Sequence, residues 1–404
     1  MRKSEEEIRE RVVGELAMEN SISDTQLLSA INQEVLSETG EHYIRLRERR
    51  AVQKNIFNSI RRLDILQDLL EDDEVTEIMV NGARKVFVEK NGRLFDTERK
   101  FSSEEKLEEI IQQIASQGNR IVNESSPILD VRLKDGSRVN VVLPPISING
   151  PAVTIRRFPK EALTMKRLIE IEAITKEAAE FLESLVRAGY NIFISGGTGA
   201  GKTTFLNILS GFIPSDERVK TIEDSAELQI QHVRNLVQLE ARNENIEGEN
   251  AVTIRDLIRS ALRMRPDRIV IGEVRDAVAI DMLQAMNTGH DGSLSTGHAN
   301  STADMINRLE TLVLMGMDIP VGAVRGQIAS ALDIIVHLGR LRDGSRRVLA
   351  IDEVGAVKEG RVELFPLFRF CETGEENGRV VGELKRTAGE FNNTEKCRRA
   401  GIKL

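Results

Sequence analysis

Residues 196–203 read Gly-Gly-Thr-Gly-Ala-Gly-Lys-Thr, and this stretch predicts a strand before it and a helix after it. Its spacing, G-x-x-x-x-G-K-[ST], is that of a phosphate-binding loop, in which glycines let backbone N–H groups turn towards a phosphate. We expect Lys202 to reach the β- and γ-phosphates and the Thr203 hydroxyl to ligate Mg²⁺. The predicted nucleotide-binding residues are Gly196, Gly197, Thr198, Gly199, Ala200, Gly201, Lys202, Thr203 and Thr204.

The flanking sequence supplies the strand–loop–helix context that such a loop requires. An apolar strand at 191–195 precedes the loop. After the loop, apolar residues recur at helical spacing: Phe205, Ile208, Leu209 and Phe212. A glycine-rich turn with an incidental Lys-Thr is the structural alternative, and the two flanks argue against it. The sequence therefore predicts binding of a nucleoside triphosphate.

Composition limits the class of protein. At 404 residues the chain has room for two or three domains, and its first residues carry no apolar signal region, so we expect a cytoplasmic protein. Its two cysteines have neither metal-type nor redox-type spacing. A net charge of -8, no Trp and two Tyr argue against a protein that coats or stacks on nucleic acid, so we expect no direct nucleic-acid partner.

The pattern along the chain predicts an α/β protein in four segments. Residues 1–70 read as charged helices, either a solvated bundle or a docking element for a partner. Residues 71–159 read as a small α/β domain, and 160–175 as a linker. From 176 to 404 strands and helices alternate, as a doubly wound parallel sheet requires. We place its strands at 191–195, 218–223, 235–239, 268–272, 292–296, 334–338 and 347–351.

Acidic and histidine residues follow three of these strands, at the edge where a doubly wound sheet binds its ligand. They are Glu223 with Asp224, Glu273, and His298. A carboxylate at a buried strand end is costly unless it serves Mg²⁺ or an attacking water, although acidic pairs also start turns and a lone histidine is often structural. We expect His290 to be structural, and the remaining histidines have no supporting context: His42, His232 and His337.

Together these segments resemble the secretion-ATPase superfamily that drives type II and type IV secretion and type IV pili. The matching motifs are the phosphate-binding loop, the acidic box 221–224, the Walker B segment 269–276 with its Gly272-Glu273, and the histidine box 296–298. Three further segments are similar to the CpaF-type branch, the motors of tight-adherence (Tad/Flp) pili. These segments are 75–82, 135–140 and 154–158.

The resemblance implies a RecA-like P-loop NTPase domain that uses ATP and Mg²⁺, with a role for each matching residue. Glu273 would polarise the attacking water, Glu223 would help to hold the metal and the water, and His298 would sense the γ-phosphate. Arg138 and Arg156 would come from the small N-terminal α/β domain and close over the phosphates.

The resemblance also implies an assembly and a place of action. The family works as a hexameric ring on the cytoplasmic face of the inner membrane, where it pushes on an integral-membrane platform protein and so associates with the membrane through that partner. The resemblance therefore implies that the protein is a motor for pilus assembly or protein secretion. Three alternatives remain open: the motor of another export or conjugation machine, a nucleic-acid-translocating RecA-like ATPase, and an NTP-binding switch with negligible turnover.

Overall fold

The computed structural model describes residues 5–16, 22–39, 45–90, 92–157, 163–242 and 250–403. The chain divides into two compact units, Met1–Lys160 and Glu161–Leu404. His42 and the motif residue Phe158 lie outside the described residues. Among the described residues, no helix is both long enough and apolar enough to cross a membrane.

The first unit begins with four helices. They are α1 (Glu5–Leu16), α2 (Asp24–Thr39), α3 (Leu46–Arg61) and α4 (Ile65–Glu71). Helices α1 to α3 share a small core that includes Ile8, Leu27 and Ile56. The sequence suggests one helix over 41–70, but Asp64 takes a φ of +49°, which a right-handed helix excludes, and the chain breaks there between α3 and α4.

A six-stranded antiparallel sheet completes the first unit, in the order β3-β2-β1-β6-β5-β4. Its strands are β1 (Val75–Asn81), β2 (Val86–Lys90), β3 (Arg93–Asp96), β4 (Ile128–Arg132), β5 (Arg138–Val142) and β6 (Ala152–Arg156). Helix α5 (Glu104–Gln117), capped by Ser103, packs its apolar side into the same core as the buried residues of these strands. Burial alternates along β5 and β6, so Arg138 and Arg156 lie on the face opposite to that core.

The second unit is a nine-stranded sheet with helices, in the order β15-β14-β13-β12-β7-β11-β10-β8-β9. Its strands are β7 (Ile192–Gly196), β8 (Arg218–Glu223), β9 (Asn235–Glu240), β10 (Arg268–Ile271), β11 (Leu294–Gly297), β12 (Ile334–Arg340), β13 (Arg346–Lys358), β14 (Arg361–Glu376) and β15 (Arg379–Arg386). Its helices are α6 (Met165–Glu170), α7 (Lys176–Arg187), α8 (Lys202–Ser210), α9 (Ile254–Ala261), α10 (Val278–Asn287), α11 (Thr302–Gly316), α12 (Val321–Ala331) and α13 (Glu395–Arg399).

The strands from β12 to β9 in this order pair in parallel, and β7, β10 and β11 are buried along their whole length. Such burial on both faces is typical of parallel sheets covered by helices. Two features differ from the sequence analysis. The stretch 160–175, predicted as a linker, contains α6, whose Leu168 joins the core. The antiparallel strands β14 and β15 extend the sheet beyond the last strand that we predicted.

Candidate active site

The phosphate-binding loop connects the end of β7 to the start of α8, as its motif requires. Gly199 and Gly201 take φ angles of +72° and +90°, a region that residues with a Cβ atom rarely enter. A Cβ atom on Gly196 would lie 2.6 Å from the carbonyl oxygen of Leu338. Gly196, Gly199 and Gly201 are therefore required by backbone geometry, and the first amides of α8 are the groups that can bind an anion.

Lys202, the first residue of α8, is buried although it carries a charge. Its Nζ atom donates to the carbonyl oxygen of Gly197 at 3.2 Å and lies 3.2 Å from Nδ1 of His298. The structure thus brings together two residues that are 96 positions apart in the chain, at one end of the parallel sheet.

Glu273 completes a cluster with these two residues. Its Oε1 atom lies 2.7 Å from Nε2 of His298, and its Oε2 atom accepts from Nη2 of Arg275 at 2.8 Å. The parallel pairing of β10 with β11 produces this arrangement, because it places the residues after both strands side by side. The residues predicted at the ends of β10 and β11 therefore lie next to the lysine of the loop.

The surroundings of His298 favour the neutral form of its imidazole, although Glu273 acts in the opposite direction. Burial lowers the pKa of its imidazole, and the positive charge of Lys202 lowers it further. A neutral ring accepts through one nitrogen and donates through the other, so His298 can bridge Lys202 and Glu273. This position lets the ring respond to any change in what Lys202 binds.

Glu223 occupies a different environment from the one that we expected for a metal ligand. Its carboxylate accepts from the backbone N–H groups of Glu227 and Leu228, at 2.9 and 3.1 Å, and burial raises its pKa to about 7. A Cβ atom on Gly272 would lie only 2.9 Å from the Cγ atom of Glu223, which explains why a glycine precedes Glu273. Glu223 therefore orders its own loop, while Asp224 next to it lies 3.8 Å from Arg275.

A Mg²⁺ ion bound with a nucleoside triphosphate takes most of its ligands from phosphate oxygens and water. Within the described part of the chain, no three His, Cys, Asp or Glu residues form a cage for a metal. Thr203, half-buried in the first turn of α8, fits the role of a single protein ligand. Glu223 fits it poorly, because its oxygens are already bonded to backbone amides.

Arg138 and Arg156 lie in the first unit, where they are direct partners across β5 and β6. The row continues to Arg132 on one side and to Glu77 on the other. Arg157, by contrast, points to the backbone and donates to the carbonyl oxygens of Asp72 and Val75, so its role is structural.

Two arginines were not predicted as site residues from the sequence. Arg275 lies within the quoted Walker B segment, and its spacing of two residues from Glu273 was the available signal. Arg346, the first residue of β13, donates from Nε to the carbonyl oxygen of Gly199 at 2.8 Å. These two residues are 147 positions apart, so no local pattern predicts their contact.

Three histidines outside the cluster belong to the described residues, and they contact backbone carbonyl oxygens or a buried serine. Nε2 of His232 lies 2.8 Å from the carbonyl oxygen of Ile213, and Nδ1 of His290 lies 3.1 Å from that of Ala285. The buried His337 lies 2.8 Å from Oγ of Ser195 at the end of β7.

Comparison with known proteins agrees with this geometry. The family described as type II/IV secretion system protein matches residues 61–398. The chain is 37% identical over 305 residues to a Mycobacterium tuberculosis (strain H37Rv) protein named for a role in conjugal transfer, covering 74% of this chain and 86% of that protein. It is 30% identical over 327 residues to the type IV secretion system protein VirB11 of Bartonella henselae, covering 72% of this chain and 91% of the relative.

Among solved structures, the pilus retraction motor PilT with bound ADP superposes with a TM-score of 0.54 at 21% identity, covering 74% of this chain and 83% of that one. A similarity at this level shows a shared fold, here the RecA-like fold of the second unit's parallel sheet and phosphate-binding loop. The chain therefore belongs to the type II/IV secretion system ATPase family, and it is an ATPase.

Proposed function

We propose that this ATPase is a hexameric motor that powers assembly of a Flp or type IV-like pilus, or type II/IV protein secretion. It would act at the cytoplasmic face of the inner membrane, on an integral-membrane platform protein. The observation that carries the proposal is the cluster of Lys202, His298 and Glu273 beside the phosphate-binding loop. Family membership supports a secretion or conjugation ATPase. The assignment to pilus assembly goes beyond family membership and is our proposal.

In this proposal each residue of the cluster has one task in ATP hydrolysis. Lys202 would bind the β- and γ-phosphates together with the loop amides, and the Thr203 hydroxyl would contact Mg²⁺, which supplies charge neutralisation at the phosphates. Glu273 would orient and deprotonate the attacking water. His298 would couple the two, because it touches both Lys202 and Glu273. Glu223, although we first expected it to hold the metal, would act by ordering the loop after β8.

The arginines of the first unit would convert hydrolysis into motion. We propose that Arg138 and Arg156 close over the phosphates, from the same chain or from a neighbouring one. Cross-strand pairs of like charge are destabilising, and Arg132, Arg138 and Arg156 form two such pairs in a row. An anion at this face would relieve that repulsion, and an arginine that reaches a γ-phosphate accelerates its transfer.

Turnover of the full chain tests this role. Substituting Arg138→Ala or Arg156→Ala should slow ATP hydrolysis by on the order of 10³-fold or more if either acts as an arginine finger. The matched control is Arg93→Ala, an exposed arginine at the start of the edge strand β3, which should leave turnover unchanged. Wild-type turnover in both variants would show that neither Arg138 nor Arg156 takes part in catalysis.

The proposed role in pilus assembly is tested in the cell that makes the protein. Replacing the chromosomal copy with Glu273→Gln should abolish surface pili seen by electron microscopy, without loss of the protein. Pili at normal number combined with lost secretion or conjugation would assign the motor to another machine.

The hexameric ring is tested by mass photometry of the purified protein. We expect the mass to shift to that of six chains when a non-hydrolysable ATP analogue is added. An unchanged small mass would contradict the hexamer.

A nucleic-acid translocase is the second candidate, because the Mycobacterium tuberculosis relative is named for a role in conjugal transfer. The net charge of -8 weighs against a long nucleic-acid track. Adding single-stranded or double-stranded DNA to the hydrolysis assay separates the two candidates. We expect turnover to be independent of DNA, whereas strong stimulation would favour the translocase.

A further inference from the structure

A row of polar side chains crosses four neighbouring strands in the sheet of the second unit. Its members are Ser195 on β7, His337 on β12, Asp352 on β13 and Arg369 on β14. The first three are buried, and the side chain of Arg369 is 37% exposed. Polar groups in the covered part of a sheet are costly unless they are hydrogen-bonded, so the bonds of this row carry information about its role.

Strand pairing places the row on one face of the sheet. His337 is the direct partner of Ser195 across β12 and β7, and its Nδ1 atom lies 2.8 Å from the serine Oγ. Asp352 pairs with Ile335, which is two residues before His337 on β12. Because side chains alternate along a strand and paired residues share a face, Asp352 and His337 lie on the same face. Helix α11 covers this face, since its first residue is bonded to Asp352.

Asp352 holds two partners at the centre of the row. Its Oδ1 atom accepts from Nη1 of Arg369, and its Oδ2 atom accepts from the hydroxyl of Thr302. A carboxylate that is 1% exposed is tolerated only when it is paired and hydrogen-bonded, and Arg369 supplies the opposite charge. A hydrogen bond to a charged acceptor is stronger than one between neutral groups, so Asp352 holds the Thr302 hydroxyl firmly.

Thr302 connects this row to the histidine of the active site. It is the buried first residue of α11, and only three residues separate it from His298. The helix start is also fixed by Ser301, which accepts from the backbone N–H of Asp304. So short a connection means that the position of the first turn of α11 limits where the ring of His298 can lie.

The ring of His298 has two contacts to satisfy at once. Its Nδ1 atom lies 3.2 Å from Lys202, and its Nε2 atom lies 2.7 Å from Glu273. A displacement of about 1 Å in a catalytic group can cost on the order of 10²-fold in rate. An anchor behind the histidine segment therefore acts on the rate of hydrolysis, whereas the loop and Lys202 determine nucleotide binding.

We propose that Asp352 is a positioning residue for ATP hydrolysis. Through the hydroxyl of Thr302 it holds the start of α11, and the start of α11 holds the ring of His298 in the cluster. The inference rests on the proposed role of His298. It extends the active site to two strands outside the parallel part of the sheet, because Asp352 lies on β13 and its counter-ion Arg369 on β14.

The test removes the hydroxyl that links the two parts. Thr302→Val keeps the branched shape of the side chain, and we expect kcat to fall by about 10- to 100-fold while ATP affinity stays within about 2-fold of the wild type. Thr302→Ser restores a hydroxyl and should restore most of kcat. Thr302→Ala is a second variant without the hydroxyl and should behave like the valine variant. The matched control is Thr311→Val, which removes a hydroxyl bonded to the carbonyl oxygen of Asn307 on the same helix and should leave kcat unchanged.

A double-mutant cycle separates positioning from a general loosening of the fold. If Thr302 acts through His298, Thr302→Val should slow hydrolysis no further in the His298→Ala background. Single-turnover phosphate release with enzyme in excess measures both rates. An equal fold loss in both backgrounds would overturn the inference, and so would wild-type kcat in Thr302→Val and Thr302→Ala.

The single variants distinguish this inference from the proposed function. Slow hydrolysis in His298→Ala together with normal hydrolysis in Thr302→Val would refute the anchor alone. Wild-type hydrolysis in His298→Ala would refute the proposed role of His298, and the inference with it.

Discussion

Replacing Glu273 with Gln isolates the chemical step of the proposed mechanism. The substitution keeps the size of the side chain and removes the charge that would deprotonate water. Loss of a general base costs on the order of 10²–10⁴ in rate, whereas nucleotide binding depends on the loop and on Lys202. We therefore expect a collapse of steady-state phosphate release with ATP affinity close to that of the wild type.

The structure predicts a small effect of the same substitution on stability. Glu273 pairs with Arg275, whose side chain is 59% exposed, and exposed ion pairs contribute at most about 1 kcal/mol. The matched control is Glu310→Gln, which removes a similar charge from a pair with Arg325 at 2.8 Å on α11 and α12, away from the cluster. This control should retain wild-type turnover.

The assay combines phosphate release at saturating ATP with calorimetric binding of ATP. Normal turnover in Glu273→Gln would refute the role of Glu273 as the base, and Asp224 near Arg275 would then be the next candidate. Lost ATP binding together with lost turnover would instead show that the carboxylate organises the binding site.

Three further substitutions test the remaining parts of the site. Lys202→Ala should abolish ATP binding measured by calorimetry, and unchanged affinity would refute the phosphate site. His298→Ala should reduce hydrolysis more than ATP affinity, whereas equal losses of ADP and ATP affinity would indicate a structural role. Glu223 has a folded-state pKa of about 7 against 4.5 for the free side chain, so the wild type loses stability as pH rises from 4.5 to 7, by on the order of 3 kcal/mol. Glu223→Gln should therefore raise the unfolding temperature more at pH 8 than at pH 5, and an equal shift at both would contradict the raised pKa of Glu223.

Much of the second unit could be predicted because its signals are local. The loop 196–203 specifies a strand before it and a helix after it, and the strands of a covered parallel sheet appear as short apolar runs. The proximity of Glu273 and His298 also followed from sequence, because the carboxyl ends of parallel strands meet at one edge of the sheet. Their roles in hydrolysis stay predictions.

Other features depend on contacts between distant segments, and no local pattern shows them. Strand β14 is exposed from Cys371 to Glu376 and pairs there only with β15, so it has no alternating apolar pattern to reveal it. The contact between Arg346 and Gly199 arises only when β12 pairs with β7 on one side and with β13 on the other. The expected metal role of Glu223 assumed a free carboxylate, and the backbone amides that occupy it belong to a loop whose course the sequence did not predict.

The cross-strand row of arginines in the first unit is a feature that the sequence alone did not show. Arg132, Arg138 and Arg156 stand opposite one another, and each like-charge pair across strands costs up to about 1 kcal/mol. Asp130 and Glu77 offset part of this repulsion, Asp130 at 3.4 Å from Arg138 and Glu77 as the cross-strand partner of Arg156. Uncharged β-branched residues would make the same strands more stable. An anion bound at this face would relieve the remaining repulsion, and the proposal that Arg138 and Arg156 act on the phosphates of the nucleotide is consistent with it.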